Sequence, residues 1–317
     1  MSSFVFAASI AALFMISFSG LYYYLWLVER KFLLRKFFLA ILLLFAFTLT
    51  MHECMLVVFP TVSNPVLYFT LIVVIFTALM VLRKKFPGCR KEDLIGPYEL
   101  CGIKYYVCKS TSRIINAWYD GKRIIISKDL LTILNRDELH AVLLHERSHS
   151  VNKTLFWFNS LLRAFWLLIM ASIVASTTLT VTMPLMFTKP KIMEVVSLYF
   201  LIGCILTAPV LAVSWIYEHE ADAETLKYSL GDHMVSALVK TMVYQKLYGA
   251  LEGLLNVEVE ATVKRINVKY VPWWRILFEY FKAVVLSTPW SVFKFISRPL
   301  YITHPPLWLR AWHISGR

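Results

Sequence analysis

The chain has 317 residues, of which 58% are hydrophobic and 17% charged, with a mean hydropathy of +0.62. A soluble domain of this length does not carry so much apolar content, so a membrane protein is the first expectation. The formal net charge is +13, but the Lys and Arg flank long apolar runs. That is the pattern of a positive-inside bias, and no nucleic-acid partner is expected.

A helix that crosses a bilayer needs about 20 apolar residues. Stretches that qualify are Phe4–Val28, Phe37–Pro60, Pro65–Leu82, Ala164–Met186 and Ile192–Trp215. The first has no positive region before it and is too long for a cleaved signal sequence, so it reads as a retained span. Arg30, Lys31, Arg35 and Lys36 follow the first run, and Arg83, Lys84, Lys85, Arg90 and Lys91 follow the third. The link Thr61–Asn64 after the second run is uncharged. This distribution puts the N-terminus outside and the chain from Arg83 onward in the cytoplasm. His52 and Glu53 lie within the second run, toward its outer end, and read as residues that reach the interface.

From Arg83 the chain turns polar. Lys104–Lys109 and Arg123–Ser127 read as strands of a small sheet, with a turn at Tyr119-Asp120-Gly121. The pattern becomes helical from Asn135, where Asn135 or Asp137 is the candidate cap, and Leu139, Val142, Leu143 and Leu144 supply the apolar stripe. After the last run, Tyr217–Leu230 and Asp232–Leu251 read as two helices. Pro272–Tyr301 is aromatic and basic and reads as an interfacial or substrate-lining segment, with Trp273, Trp274 and Trp290 at headgroup depth. An ordinary pair of core helices is the alternative there. Cys54, Cys89, Cys101, Cys108 and Cys204 are odd in number and lack C-x-x-C spacing, so they are expected to be reduced bystanders.

The organisation expected is a mainly α, multi-span membrane protein with a small β-sheet. Residues 1–82 form an N-terminal membrane region of three spans, and 83–153 the first part of a catalytic domain. Residues 154–216 form a transmembrane hairpin, and 217–317 the second part of that domain.

The chemistry is carried by His145-Glu146-Arg147-Ser148-His149, an H-E-x-x-H run on a helix. Histidines at i and i+4 share one face and chelate one zinc ion, while the intervening Glu lies beside the open position as a general base. Zinc lowers the pKa of bound water toward 7, which makes hydroxide available at neutral pH. A catalytic site of this kind needs a third protein ligand. Glu218 and Asp222 are again spaced i and i+4: Glu218 is the candidate ligand, and Asp222 the carboxylate that orients a ligand histidine. His219 and Glu220 point elsewhere on that helix and read as solvated or packing residues. The two expected spans between His149 and Glu218 return the chain to one side of the membrane, so the ligand helices are able to meet.

With these residues in place the sequence resembles the HtpX and CAAX-prenyl-protease family of integral membrane zinc metalloendopeptidases, and is closest to the HtpX-like members. The resemblance runs from about Arg83 to the C-terminus. It rests on Asn116-Ala117-Trp118-Tyr119-Asp120-Gly121, the strand Arg123–Ser127, the zinc helix, the hydrophobic hairpin before Glu218-x-x-x-Asp222, and Thr303-His304-Pro305-Pro306 followed by Arg310. It implies a zincin-like (gluzincin) catalytic domain with one Zn2+ per chain and a plasma-membrane location with the catalytic site facing the cytoplasm. It also implies that His304 stabilises the oxyanion and that Arg310 supports the site. The strand at Asn116, Ala117 and Trp118 would pair with an extended protein or peptide substrate. Three spans before the catalytic region, where an HtpX-like protein usually has two, is the one departure.

The leading function is cleavage of membrane or misfolded proteins in quality control. Processing of prenylated or other specific peptides uses the same site but calls for a large intramembrane chamber. A sensor metalloprotease normally carries an outside ligand-binding domain, and a non-catalytic zinc scaffold leaves Glu146 without a role.

Overall fold

The computed structural model describes residues 3–29, 74, 89, 91–109, 115–151, 189–246, 258–262, 271–297 and 304–315. Two compact units emerge. One comprises Met1–Phe86, Asn159–Ser214 and Trp273–Thr303, and the other Pro87–Phe158, Trp215–Pro272 and His304–Arg317. The first gathers every stretch expected to span the membrane, and with them Trp273–Thr303, which the sequence reading assigned to the second catalytic segment.

In the first unit, helix α1 (Ser3–Glu29) covers the first expected span. Among the described residues Ala8–Val28 is the stretch found long and apolar enough to cross a membrane. The second, third and fourth expected spans, with His52 and Glu53, lie outside the described residues apart from Val74.

The second unit is built on a four-stranded sheet of β1 (Leu94–Leu100), β2 (Ile103–Cys108), β3 (Ala117–Tyr119) and β4 (Ile124–Ser127), in the order β1-β2-β4-β3. β1 and β2 form an antiparallel hairpin, β2 runs parallel to β4, and β3 returns antiparallel onto β4 with Ala117 opposite Ile126. Asp120 makes the β3–β4 turn. Its carboxylate accepts from the backbone N–H of Lys122 at 2.8 Å and of Arg123 at 2.7 Å, and Gly121 sits at φ +93°, which a side chain disfavours. β3 is thus an edge strand among the described residues.

The sheet leads into α2 (Lys128–Ile133) and α3 (Arg136–Val151). Of the two candidate caps for α3, Asn135 does the work. Its Oδ1 accepts from the N–H of Glu138 at 2.9 Å, and Glu138 Oε2 accepts from the N–H of Asn135 at 2.8 Å, a reciprocal capping box. Glu138 is also gripped by α5 (Gly231–Lys246), through Ser236 Oγ at 2.6 Å and Lys240 Nζ at 2.7 Å. The core joins Ile124 and Ile126 of the sheet, Leu143 and Leu144 of α3, Val239 of α5 and Ile314 of α7 (Leu307–Ser315). Large apolar side chains at helical spacing on α3 and α5 drive that burial, at about 1.5–3 kcal/mol for each fully buried Leu, Ile or Val.

Two expectations need correction. The fifth span and the ligand helix are not separate elements: α4 is one helix, Lys189–Leu226. Nothing between Trp215 and Tyr217 breaks the pattern, and the apolar run passes directly into the polar turn that holds Glu218. Second, Cys89 and Cys108 form a disulfide, with Cα atoms 5.7 Å apart. β1 and β2 fold back on each other so that Leu94 lies opposite Cys108, and this carries the chain just before β1 to the end of β2. Spacing alone does not reveal that proximity. Cys101 is exposed and Cys204 buried, and neither is in a disulfide.

Candidate metal centre

Helix α3 buries almost a full turn around the motif, including Leu144, His145, Glu146 and His149. The two imidazoles stand edge to face, with centroids 4.8 Å apart. Nε2 of His145 lies 3.5 Å from one carboxylate oxygen of Glu218, and Nε2 of His149 lies 3.8 Å from the other. Tetrahedral ligands about 2.0–2.1 Å from a zinc ion stand about 3.3 Å from one another, so the three groups need only small adjustments to share one ion. Glu146 belongs to the same cluster: the ligand atoms of His145, Glu146 and His149 fall within 4.8 Å of one another. Between the two glutamates, Glu218 is the better third ligand, because both Nε2 atoms approach its carboxylate. Glu218 Oε2 is buried and faced by His145 Nε2 and His304 Nε2, each at 3.5 Å, and by Arg310 Nη1 at 3.8 Å, surroundings that favour its ionised, cation-binding form.

The surroundings fix these groups. Asp222, one turn after Glu218, is fully buried and lies 3.0 Å from Nδ1 of His145. Arg310 of α7 donates to both Asp222 oxygens, Nε to Oδ2 at 2.8 Å and Nη2 to Oδ1 at 2.6 Å, and its Nη1 stands 3.8 Å from Glu218. His304 precedes two prolines that lead into α7, where Pro306 accepts from the N–H of Leu309 at 2.9 Å. Its Nε2 reaches to 3.5 Å from Glu218 Oε2 while the side chain stays 39% exposed, so it borders both the site and solvent.

The electrostatics follow from this packing. Burial opposes charge on His145, but its bonds with Asp222 and Glu218 outweigh that and raise it to about 9. His149 is pushed down to about 3, chiefly by burial, so it stays neutral and available as a ligand. Burial pushes Glu146 up to about 7. Burial also acts to raise Glu218 and Asp222. The cationic groups around Glu218, His304 first, and Arg310 beside Asp222 win, and both carboxyls lie well below the usual range.

Of the substrate-strand residues, Ala117 and Trp118 lie on β3, and the N–H of Asn116 donates to Ser127 Oγ at 3.0 Å. A backbone hydrogen bond links Tyr119 to Glu146, which ties the edge strand to the motif. Sequence reasoning missed Tyr217. Its ring lies 4.3 Å from that of His149, and its hydroxyl donates to the His149 carbonyl at 3.1 Å. Its place next to Glu218 was the available signal. Arg147 was missed too: its Nη2 donates to Tyr228 Oη at 3.0 Å and stands 3.8 Å from Glu224, fastening α3 to the end of α4. His219 is a packing residue, fully buried 4.4 Å from the ring of His313.

Two histidines one helical turn apart, with a glutamate between them and a further buried carboxylate facing both, are the donor set of a zinc-dependent metallopeptidase. Comparison with known proteins agrees: the chain belongs to Peptidase family M48, which matches residues 93–317 and whose peptidases are zinc metalloproteases. No curated protein and no solved structure matches it.

Proposed function

We propose that the chain is a multi-span membrane zinc endopeptidase, with its site on the cytoplasmic side, that cleaves membrane or misfolded proteins. The observation that carries the reading is the convergence of His145, His149 and Glu218, all buried, on one point beside Glu146. His145, His149 and Glu218 would hold one zinc ion. When bound, zinc polarises a peptide carbonyl and brings the pKa of water toward 7.

The chain's own groups do the rest. Glu146, pushed up to about 7, takes a proton from the attacking water and passes it to the leaving amine. His304 donates to the carbonyl oxygen as negative charge develops there. Asp222 fixes the tautomer and orientation of His145, and Arg310 holds Asp222. The outer edge of β3, at the end of the sheet among the described residues, would pair with an extended substrate strand and lay its backbone across the motif.

The test is metal content and proteolysis of the detergent-purified chain. The reading expects one zinc per chain, cleavage of casein, loss of cleavage with a chelator, and recovery on adding zinc. Cleavage of a farnesylated peptide without cleavage of casein would replace it with a processing protease.

A further inference from the structure

Helix α6 (Trp273–Ser297) has two faces, and the metal centre uses neither. Ile276, Tyr280 and Val284, at successive i+4 positions, are fully buried. Tyr280 is the anchor. Its ring stacks on Tyr23 of α1 at 5.9 Å, and its hydroxyl donates to the Ala208 carbonyl of α4. The contact with α1 is close enough that a Cβ at Gly20 would lie 3.0 Å from the Tyr280 ring. α6 is therefore fastened to the helix that carries Ala8–Val28, the stretch able to cross a membrane.

The opposite face is aromatic and exposed. Trp274 is 58% exposed and Phe278 59%, with Phe281 and Leu286 also open. At 100° per residue, Trp274, Phe278 and Phe281 fall within one facet of about 60°. Arg275 and Lys282, seven residues apart, adjoin it and are both exposed; Glu279 lies beside them with its carboxylate 3.5 Å from Lys282 Nζ, so this stripe carries one net positive charge. Water does not favour a facet of three large aromatics on a helix. Helix α1 likewise exposes Leu13, Phe14 and Leu21, so both helices present large apolar side chains, as bilayer-facing helices do. Aromatic rings with a basic flank match the boundary between acyl chains and anionic headgroups.

We propose that this face of α6 is a lipid-binding surface. Trp274, Phe278 and Phe281 enter the acyl region, and Arg275 and Lys282 hold the phosphate of an anionic phospholipid. The proposal rests on the membrane reading above and adds the lipid class and the residues. Each net basic charge near a charged lipid surface favours anionic over zwitterionic lipid roughly fivefold, so with Lys282 paired to Glu279 the stripe gives a preference of about fivefold.

The experiment places the full chain in nanodiscs containing brominated phosphatidylglycerol or brominated phosphatidylcholine and follows tryptophan emission. Trp274→Phe, subtracted from wild type, isolates the contribution of the facet. The expected result is a facet emission quenched in both lipids. In mixed nanodiscs at fixed total lipid, quenching should saturate about fivefold earlier in brominated phosphatidylglycerol, and Arg275→Gln/Lys282→Gln should abolish that preference without changing protease activity. Quenching of total emission with the facet emission untouched would leave the membrane reading intact and overturn the lipid surface. Equal quenching by the two lipids, unaltered by the double substitution, would overturn the anionic headgroup site. No quenching of any tryptophan would overturn both readings.

Discussion

Replacing Arg310 by lysine keeps a positive charge in place but removes the fork that grips both oxygens of Asp222. A lysine reaches one of them at most. A hydrogen bond to a charged group contributes about 1.5–3 kcal/mol, so the loss of one costs about that much. At roughly 2–4 °C per kcal/mol for a unit of this size, the apparent melting temperature falls by roughly 3–12 °C. The effect reaches the metal too, because Asp222 stands 3.0 Å from His145 Nδ1. Loss of such an outer partner typically weakens metal binding about 10–100-fold. Arg310→Ala is harsher: it strands two buried carboxylates, at about 3–5 kcal/mol, and serves as the folding control. The assay is thermal unfolding in detergent with and without zinc, alongside a chelator competition for zinc affinity. If Arg310→Lys melted within about 1 °C of wild type and bound zinc equally well, the argument that Arg310 acts through Asp222 would be refuted.

Zinc uptake should depend on pH. Metal-free His145 is raised to about 9 and must lose its proton to bind, so affinity should weaken about tenfold for each unit below pH 9; chelator competition between pH 6.5 and 8.5 reads this, and a flat profile contradicts it. Glu138→Gln should cost about 1–3 kcal/mol in denaturant unfolding, because it removes the charge that Lys240 pairs with, while a Gln oxygen still accepts from the Asn135 N–H. Burial raises the pKa of Glu138, but its bonds to Lys240, Ser236 and Asn135 depress it overall. Its stabilisation is therefore present above the unfolded carboxyl value of about 4.3 and lost as pH falls through the lower folded value, and the Gln variant should lack that dependence. The exposed thiol of Cys101 tests orientation: an impermeant maleimide should label it only after cell lysis if the site faces the cytoplasm. Labelling in intact cells would put the sheet in an oxidising compartment, where the Cys89–Cys108 bridge is more at home.

The parts of the site legible in the sequence were those set by local periodicity. His145 and His149 share a face because i and i+4 always do on a helix, and the same spacing paired Glu218 with Asp222. Asn135 was one of two readable caps, with Asp137 the other. What stayed hidden depends on tertiary approach. The Cys89–Cys108 bridge follows from the β1–β2 pairing, and the parallel β2–β4 pairing has no signature in either strand. Composition placed aromatic and basic residues on α6 but did not say which face packs on α1. The continuity of the run expected as a fifth span with the ligand helix was missed because the change from apolar to polar residues at Tyr217 looked like a boundary, whereas a helix passes through such a change without breaking. The resemblance, rather than spacing, brought His304 and Arg310 forward, and the fold brings both to Glu218.

The most direct test of the central claim compares wild type with Glu146→Gln for bound zinc and for casein cleavage. The account predicts one zinc per chain in both and cleavage by wild type alone, since the substitution removes the proton acceptor and leaves the three ligands. Cleavage by Glu146→Gln at the wild-type rate, or wild-type protein that binds no metal, would contradict it.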